Sequence, residues 1–256
     1  FLLPSSFFLL PSSFFLLLIM LKVIFLDAVG TLFGVRGSVG ESYAKIANKF
    51  GIIAPSDILN KAFFQSFITA SPMAFPGVKV SHIPQKEYDW WYAIAQETFH
   101  TTGYLEQFSN FDQFFVELYD YFQTAEPWFV YPEVKETLAK WQNQGWELAV
   151  LSNFDSRLYP VLEVLGLSHF FKSVTISTEV GFAKPDVNIF LAALQKHDCT
   201  PDTVLHIGDS FKADYLGAKN AGMQAIWLDR DGDANTRSDS IPPQDYAVSL
   251  EFLDLA

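Results

Sequence analysis

Cysteine occurs once in the 256 residues, at Cys199. A lone thiol excludes an internal disulfide framework, and no zinc-type ligand spacing surrounds it, so the expected setting is a reducing compartment, the cytoplasm. Basic residues are also scarce. Seventeen Lys and Arg against 29 Asp and Glu leave a net charge of −12 and a pI near 4.7, with no Lys/Arg-rich run. That balance argues against a phosphate-backbone footprint, and nucleic acid is not an expected partner. Charge of either sign is missing from Phe1 to Leu21, which opens with the repeat FLLPSSF, FLLPSSF, followed by FLLLIM. A signal peptide would carry basic residues ahead of its apolar run, and Pro4 and Pro11 suit a spanning helix poorly. The repeat reads as a duplicated block of codons upstream of a start at Met20. Residues 1–19 are therefore expected to lie outside the fold, without stable membrane association, a membrane anchor being the alternative.

What is present is enough for one large core with an inserted subdomain: 50% hydrophobic and 18% charged residues. Five near-continuous apolar runs read as strands buried on both faces: VIFLD, ELAVLSN, SVTIST, TVLHIGD and QAIWLDR. Helical patterns at 132–144, 185–197 and 212–221 separate most of them, the first and last ended by Gly145 and Gly222. The expectation is an α/β fold: a doubly wound, mainly parallel Rossmann-like sheet with ligands beyond the carboxyl ends of its strands.

More than a hundred residues separate the first two strands, far more than a crossover needs. Residues 41–134 hold 22 of the 42 aromatics, in clumps such as FFQSF, WWYAIA and FDQFF at helical spacing. This predicts an all-helical insertion whose aromatics form mainly its own core, a substrate-lining or dimerising face being the alternative. The division is 20–35 and 133–256 for the α/β core and 36–132 for the helical part. His82 and His100 lack acidic or cysteine partners at ligand spacing and read as structural or surface residues.

The chemistry gathers at the strand ends. Asp27 ends the first strand, Ser152 and Asn153 the second, Asp209 the fourth, and Asp214 opens the helix that follows; Lys184 comes just after the third. Singly, each has a plain explanation as a turn former or helix cap. In a parallel sheet they converge on one crevice. Three carboxylates that close repel one another and call for a cation. Their hard oxygens suit Mg²⁺, and Lys184 offsets further negative charge.

The segments DAVGTLF, LSN, AKPD and GDSFKAD resemble the four motifs of the haloacid dehalogenase-like hydrolase superfamily, over the whole chain from Met20. The insertion after the first motif resembles the helical first-type cap of its phosphoglycolate phosphatase and dehalogenase branch. AFPGVKVSH, WWYAIAQETFH and LSNFD are most similar to its domain-containing-protein-3 group. The resemblance implies a Mg²⁺-dependent phosphatase of small phosphorylated metabolites working through an aspartyl-phosphate. Asp27 would be the nucleophile, and Ser152, Asn153 and Lys184 would serve the phosphoryl group. Asp27, Asp209, Asp214 and the backbone carbonyl of Val29 would hold the metal, and Thr31 would orient the loop.

Val29 departs from that pattern. Phosphatases of the family carry a second Asp there, which protonates the leaving alcohol and then activates water, and valine does neither. Acid–base catalysis of this kind contributes about 10²- to 10⁴-fold, so weak or unusual phosphatase activity is expected. Three rivals stay open. A 2-haloacid dehalogenase also lacks the second acid, but needs a basic clamp for its substrate carboxylate, for which Arg36 is the nearby candidate and otherwise a surface charge. An inactive binding protein of the same fold would keep the metal site without turnover. A phosphonate hydrolase would need a Schiff-base lysine, with Lys45 and Lys49 as candidates. Asp155 is the one substitute acid in view, and otherwise a helix cap.

Overall fold

The computed structural model describes residues 23–232, 241–253 and 255. The FLLPSSF repeat and Met20 lie outside the described residues.

Strand β1 (Val23–Leu26) is fully buried because its residues alternate between the two faces of the sheet. Ile24 and Leu26 join one core cluster with Trp141, Val150 and Ile207; Val23 and Phe25 join the other with Phe190, Ala218 and Ala225. The chain then turns into β2 (Phe33–Val35) and enters four helices: α1 (Val39–Lys49), α2 (Ser56–Thr69), α3 (Ile83–Thr101) and α4 (Phe111–Tyr121). The side chains of Ser38 and Asn110 accept from Glu41 N and Gln113 N, capping α1 and α4. Strand β3 (Trp128–Val130) returns antiparallel to β2, so a two-stranded ribbon carries the chain into and out of the helices.

After α5 (Val134–Asn143) the chain forms β4 (Glu147–Ser152), α6 (Leu158–Val164), β5 (Ser173–Ile176), α7 (Ser177–Val180) and α8 (Val187–Gln195). Strand β6 (Val204–Gly208) leads into a π-helical stretch, Phe211–Leu216, then α9 (Gly217–Asn220), β7 (Gln224–Leu228) and β8 (Tyr246–Ala247). The six-stranded sheet runs β5-β4-β1-β6-β7-β8 with every pairing parallel. From β1 the chain builds outward through β4 and β5, then jumps back to build β6 to β8 on the other side. That reversal puts a crevice at the carboxyl end of β1.

The doubly wound sheet with a helical cap matches the sequence expectation, with differences in detail. The β2–β3 ribbon, α6, α7 and β8 were not anticipated: these segments span two to seven residues, too few to show a period. The helix expected over 212–221 opens as a π-turn because Ser210 accepts from Ala213 N and Asp214 folds back to accept from Ser210 N, at 3.1 and 3.0 Å. The helical insertion has its own core, with Phe99, Phe114 and Phe115 fully buried beside Tyr43 and Ile46. Among the described residues no helix is long and apolar enough to cross a membrane.

Candidate active site

The carboxyl end of β1 delivers Asp27, and its backbone N–H donates to Ile207 O of β6 at 3.0 Å. Three more strand-end segments meet it there. Oxygen atoms of Asp27, Asp209 and Asp214 come within 4.8 Å of one another; Asp27 and Asp214 are buried and Asp209 is exposed at the rim. Two glycines allow this crowding. A Cβ on Gly30, whose φ is +85°, would stand 2.3 Å from Asp209 Oδ2, and one on Gly208 would stand 2.2 Å from Asp214 Cγ.

Lys184 lies among the acids. Its ammonium donates to Asp27 Oδ1 at 2.6 Å, Asp214 Oδ1 at 2.5 Å and Leu151 O at 2.9 Å. Burial alone would lower its pKa, but Asp214 and Asp27 hold it above the usual lysine value. Asp214 is subject to the same burial, yet Lys184 and a 2.8 Å contact with His206 Nε2 keep it well below the usual carboxyl range. Burial pushes Asp27 up, opposed by Lys184 and by a hydrogen bond from Ser152. At Asp209, loss of water together with Asp27 and Asp214 outweighs Lys184 and pushes it up to about 7. Three acids against one ammonium leave surplus negative charge, and all the donors are hard oxygens. The residues present therefore fit a divalent cation, Asp209 being the acid whose charge is least compensated.

Asn153 and Thr31 lie in the loops that follow β4 and β1. The side chain of Asn153 donates to Lys184 O at 2.9 Å and accepts from Lys184 N at 2.7 Å, so its amide fixes the lysine's backbone. Thr31 is fully buried, and its hydroxyl has no hydrogen-bond partner among the described residues. The loop is held by Arg230, which the sequence reading missed. Its guanidinium donates to Gly30 O at 3.0 Å and Thr31 O at 2.6 Å, pairs with Glu133 and lies 3.6 Å from the centroid of the Tyr131 ring. Val29 is half-buried and faces the same cavity as Asp27.

That cavity, about 490 Å³, opens from the acids toward the helical cap. Its walls are aromatic, among them Phe63, Phe64, Phe67, Trp91, Phe115, Tyr119, Phe122 and Trp128. Cap aromatics thus both fill the cap's core and face the cavity. Arg157 also reaches it and was missed: it enters between Tyr119 and Trp91, 3.9 and 5.1 Å from their ring centroids. Asp155 does act at the start of α6, where its Oδ1 accepts from Arg157 N at 2.9 Å, and it does more than cap. It is fully buried and grips Arg157 through Oδ1–Nε at 2.9 Å and Oδ2–Nη2 at 2.6 Å, while Trp91 Nε1 donates to Oδ2 at 2.5 Å.

The other candidates lie elsewhere. Arg36 is exposed and bonds Trp128 O; His82 and His100 are exposed. Lys45 and Lys49 make exposed ion pairs with Glu126 and Glu117 and do not line the cavity. Glu87, fully buried on α3, reaches from the cap to the core: it accepts from Ser156 N at 3.0 Å, from the Ser156 hydroxyl, and from Thr178 Oγ1 at 2.5 Å.

The family described as haloacid dehalogenase-like hydrolase matches residues 21–222. Haloacid dehalogenase-like hydrolase domain-containing protein 3 of Bos taurus is 32% identical over 236 residues, 92% of this chain and 93% of that protein. A glyceraldehyde 3-phosphate phosphatase of Methanothermobacter thermautotrophicus is 41% identical over 97 residues, 38% of this chain and 43% of that protein. L-2-haloacid dehalogenase of Xanthobacter autotrophicus, solved with chloropropionic acid covalently bound, shares the fold at a TM-score of 0.65 and 18% identity, over 90% of this chain and 95% of that one.

Proposed function

The chain belongs to the haloacid dehalogenase-like hydrolase family and is a hydrolase, and from that premise we propose a phosphatase of small phosphate esters that uses Mg²⁺. We take residues 36–132 as its cap and 20–35 with 133–256 as its core. The observation that carries the reading is the cluster of Asp27, Asp209 and Asp214, with one ammonium among three acids. A 2-haloacid substrate would bring a further carboxylate to this surplus of negative charge, with Arg36 away from the cavity and Arg157 already gripped by Asp155. A phosphatase reading is also supported by similarity to the phosphatase of Methanothermobacter.

Asp27 Oδ attacks phosphorus, and the bond from phosphorus to the ester oxygen breaks with the electron pair leaving on that oxygen. Lys184 and the Ser152 hydroxyl are placed to hold phosphoryl oxygens beside the nucleophile. Asp27, Asp209, Asp214 and the Val29 carbonyl would hold Mg²⁺, which supplies positive charge against the phosphoryl oxygens. Asn153 keeps Lys184 in place and Arg230 keeps the loop after Asp27 in place. Water then displaces Asp27 from phosphorus, its protons passing to phosphate and solvent. Both steps lack the side-chain acid and base that an aspartate at position 29 would provide.

The test is hydrolysis of p-nitrophenyl phosphate by the full chain with and without Mg²⁺, beside Asp27→Asn and Val29→Asp. Expected are slow Mg²⁺-dependent turnover, loss in Asp27→Asn, and a gain in Val29→Asp of up to about 10²-fold. Turnover that persists in Asp27→Asn would remove the nucleophile and the proposal with it.

A further inference from the structure

The cavity above the acids contains almost nothing for a polar leaving group to bond. Its charged side chains beyond the carboxylate cluster are Lys184, held by Asp27 and Asp214, and Arg157, held in a two-bond fork by Asp155. Asn153 uses its amide on the backbone of Lys184. The hydroxyls of Tyr43 and Tyr119, with those of Ser152 and Ser210 beside the carboxylates, are the polar exceptions in an otherwise aromatic and aliphatic wall, and Ser210 already accepts from Ala213 N. A second anionic group on the substrate would have no free cation to meet, and a polyol would leave most of its hydroxyls unbonded, at a cost for each one buried.

The rings themselves are presented to a ligand. Phe64 and Phe67 are 48% and 41% exposed although both line the cavity. Phe67 lies nearly parallel to Trp91, with centroids 6.0 Å apart and planes 25° apart, so the wall is an assembled aromatic surface. Apolar side chains left open in this way mark a binding face.

Val29 bears on the same point independently. With no acid at that position to protonate the departing oxygen, the step favours a leaving group that is stable as an anion. A phenol, with a pKa of about 10, meets that requirement far better than an alkanol.

We propose, resting on the phosphatase reading, that the substrate is the monophosphate ester of an uncharged aromatic alcohol, an aryl phosphate whose ring lies against Phe67 and Trp91. The phosphorus to aryl-oxygen bond breaks as Asp27 bonds to phosphorus, the phenolate takes its proton from solvent, and water completes the hydrolysis of the Asp27 acyl phosphate.

The experiment measures binding of non-hydrolysable phosphonates to the Mg²⁺-loaded full chain by tryptophan fluorescence and calorimetry: methyl-, benzyl-, 1-naphthylmethyl- and 4-carboxybenzylphosphonate. Expected are binding of 1-naphthylmethylphosphonate at least about tenfold tighter than methylphosphonate, and 4-carboxybenzylphosphonate weaker than benzylphosphonate. Phe67→Ala is expected to erase most of the advantage of 1-naphthylmethylphosphonate over methylphosphonate. In turnover, 1-naphthyl phosphate is expected to exceed cyclohexylmethyl phosphate by about 10²-fold in kcat/KM, as the missing acid requires. Equal binding of the methyl and naphthyl compounds, or tighter binding of the carboxylate, would overturn the inference and leave the phosphoryl site standing. No binding of any phosphonate by the folded protein would overturn the phosphatase reading and this inference together.

Discussion

Replacing Lys184 with Met removes the ammonium between Asp27 and Asp214, where it is 2% exposed and bonds their carboxylates at 2.6 and 2.5 Å. Breaking a buried pair from one side costs about 3–5 kcal/mol. The residual acids, within 4.8 Å of one another, would repel by about 3.5 kcal/mol per pair at an effective dielectric of about 20. Protonation limits that cost. Binding one proton at pH 7 to a carboxyl whose ordinary value is 3.8 takes about 4 kcal/mol, so the metal-free variant should be about 3–4 kcal/mol less stable than the parent. A proton taken up on folding also makes the deficit depend on pH. A carboxyl raised in the folded state favours folding at low pH; because Asp209 and Asp27 are already raised in the parent, the deficit should shrink by up to about 1.4 kcal/mol per unit on going from pH 7 toward 5, for the one further proton the variant binds. Lys184 in the parent is raised, its contribution being complete below the unfolded lysine value and lost only as pH rises through the folded one, so the reference loses none of it at either pH. The assay is urea denaturation of parent and variant at pH 5 and 7, with and without Mg²⁺, which should stabilise the variant more. A deficit equal at both pH values would refute the protonation argument; one below about 1 kcal/mol would refute the account of the cluster.

Because Asp209 is pushed up to about 7, a proton competes with the metal below that pH. Mg²⁺ binding measured by calorimetry should be about tenfold weaker at pH 6 than at pH 8, and equal affinities would mean that Asp209 is not a ligand or does not titrate there. Glu87→Ala strands the Ser156 N–H and the hydroxyls of Ser156 and Thr178 at the cap–core seam, and should cost about 2–3 kcal/mol in urea denaturation, with Glu87→Gln costing less. A loss under about 0.5 kcal/mol would show that the seam is held by other contacts.

The doubly wound sheet was legible because its inner strands are long enough to read as uninterrupted apolar runs. Asp27, Ser152, Lys184, Asp209 and Asp214 were legible as a group because each stands at or just past a strand end, and parallel strands carry their ends to one side. Asn153 and Thr31 sit in the expected places, but that the Asn153 amide bonds the backbone of Lys184 could not be read, since position along the chain does not fix a side chain's partner. Arg157, Arg230, Glu87 and His206 were not legible at all. Arg230 reaches carbonyls 200 and 199 positions away, and Glu87 meets Thr178 across 91. The faint local signal was Asp155 followed two residues on by Arg157, a spacing that also suits an ordinary turn. The short β2–β3 ribbon escaped because three residues show no alternation worth reading.

The distance between Arg230 and the loop it holds bears on how the protein comes into being. Asp27 follows a strand that leaves the ribosome before the strands that flank it, drawn from residues 147–152 and 204–208, and before the residue at 230 that ties the turn after it. A nascent chain therefore carries the Asp27 carboxylate through 200 residues of synthesis before all the neighbours that constrain its loop are present. Contacts of such long sequence separation form late and slowly, so the loop after Asp27 would be among the last parts to settle. Formation of the sheet and completion of the loop after Asp27 would then be separate events, the second waiting on one guanidinium 200 residues further along the chain.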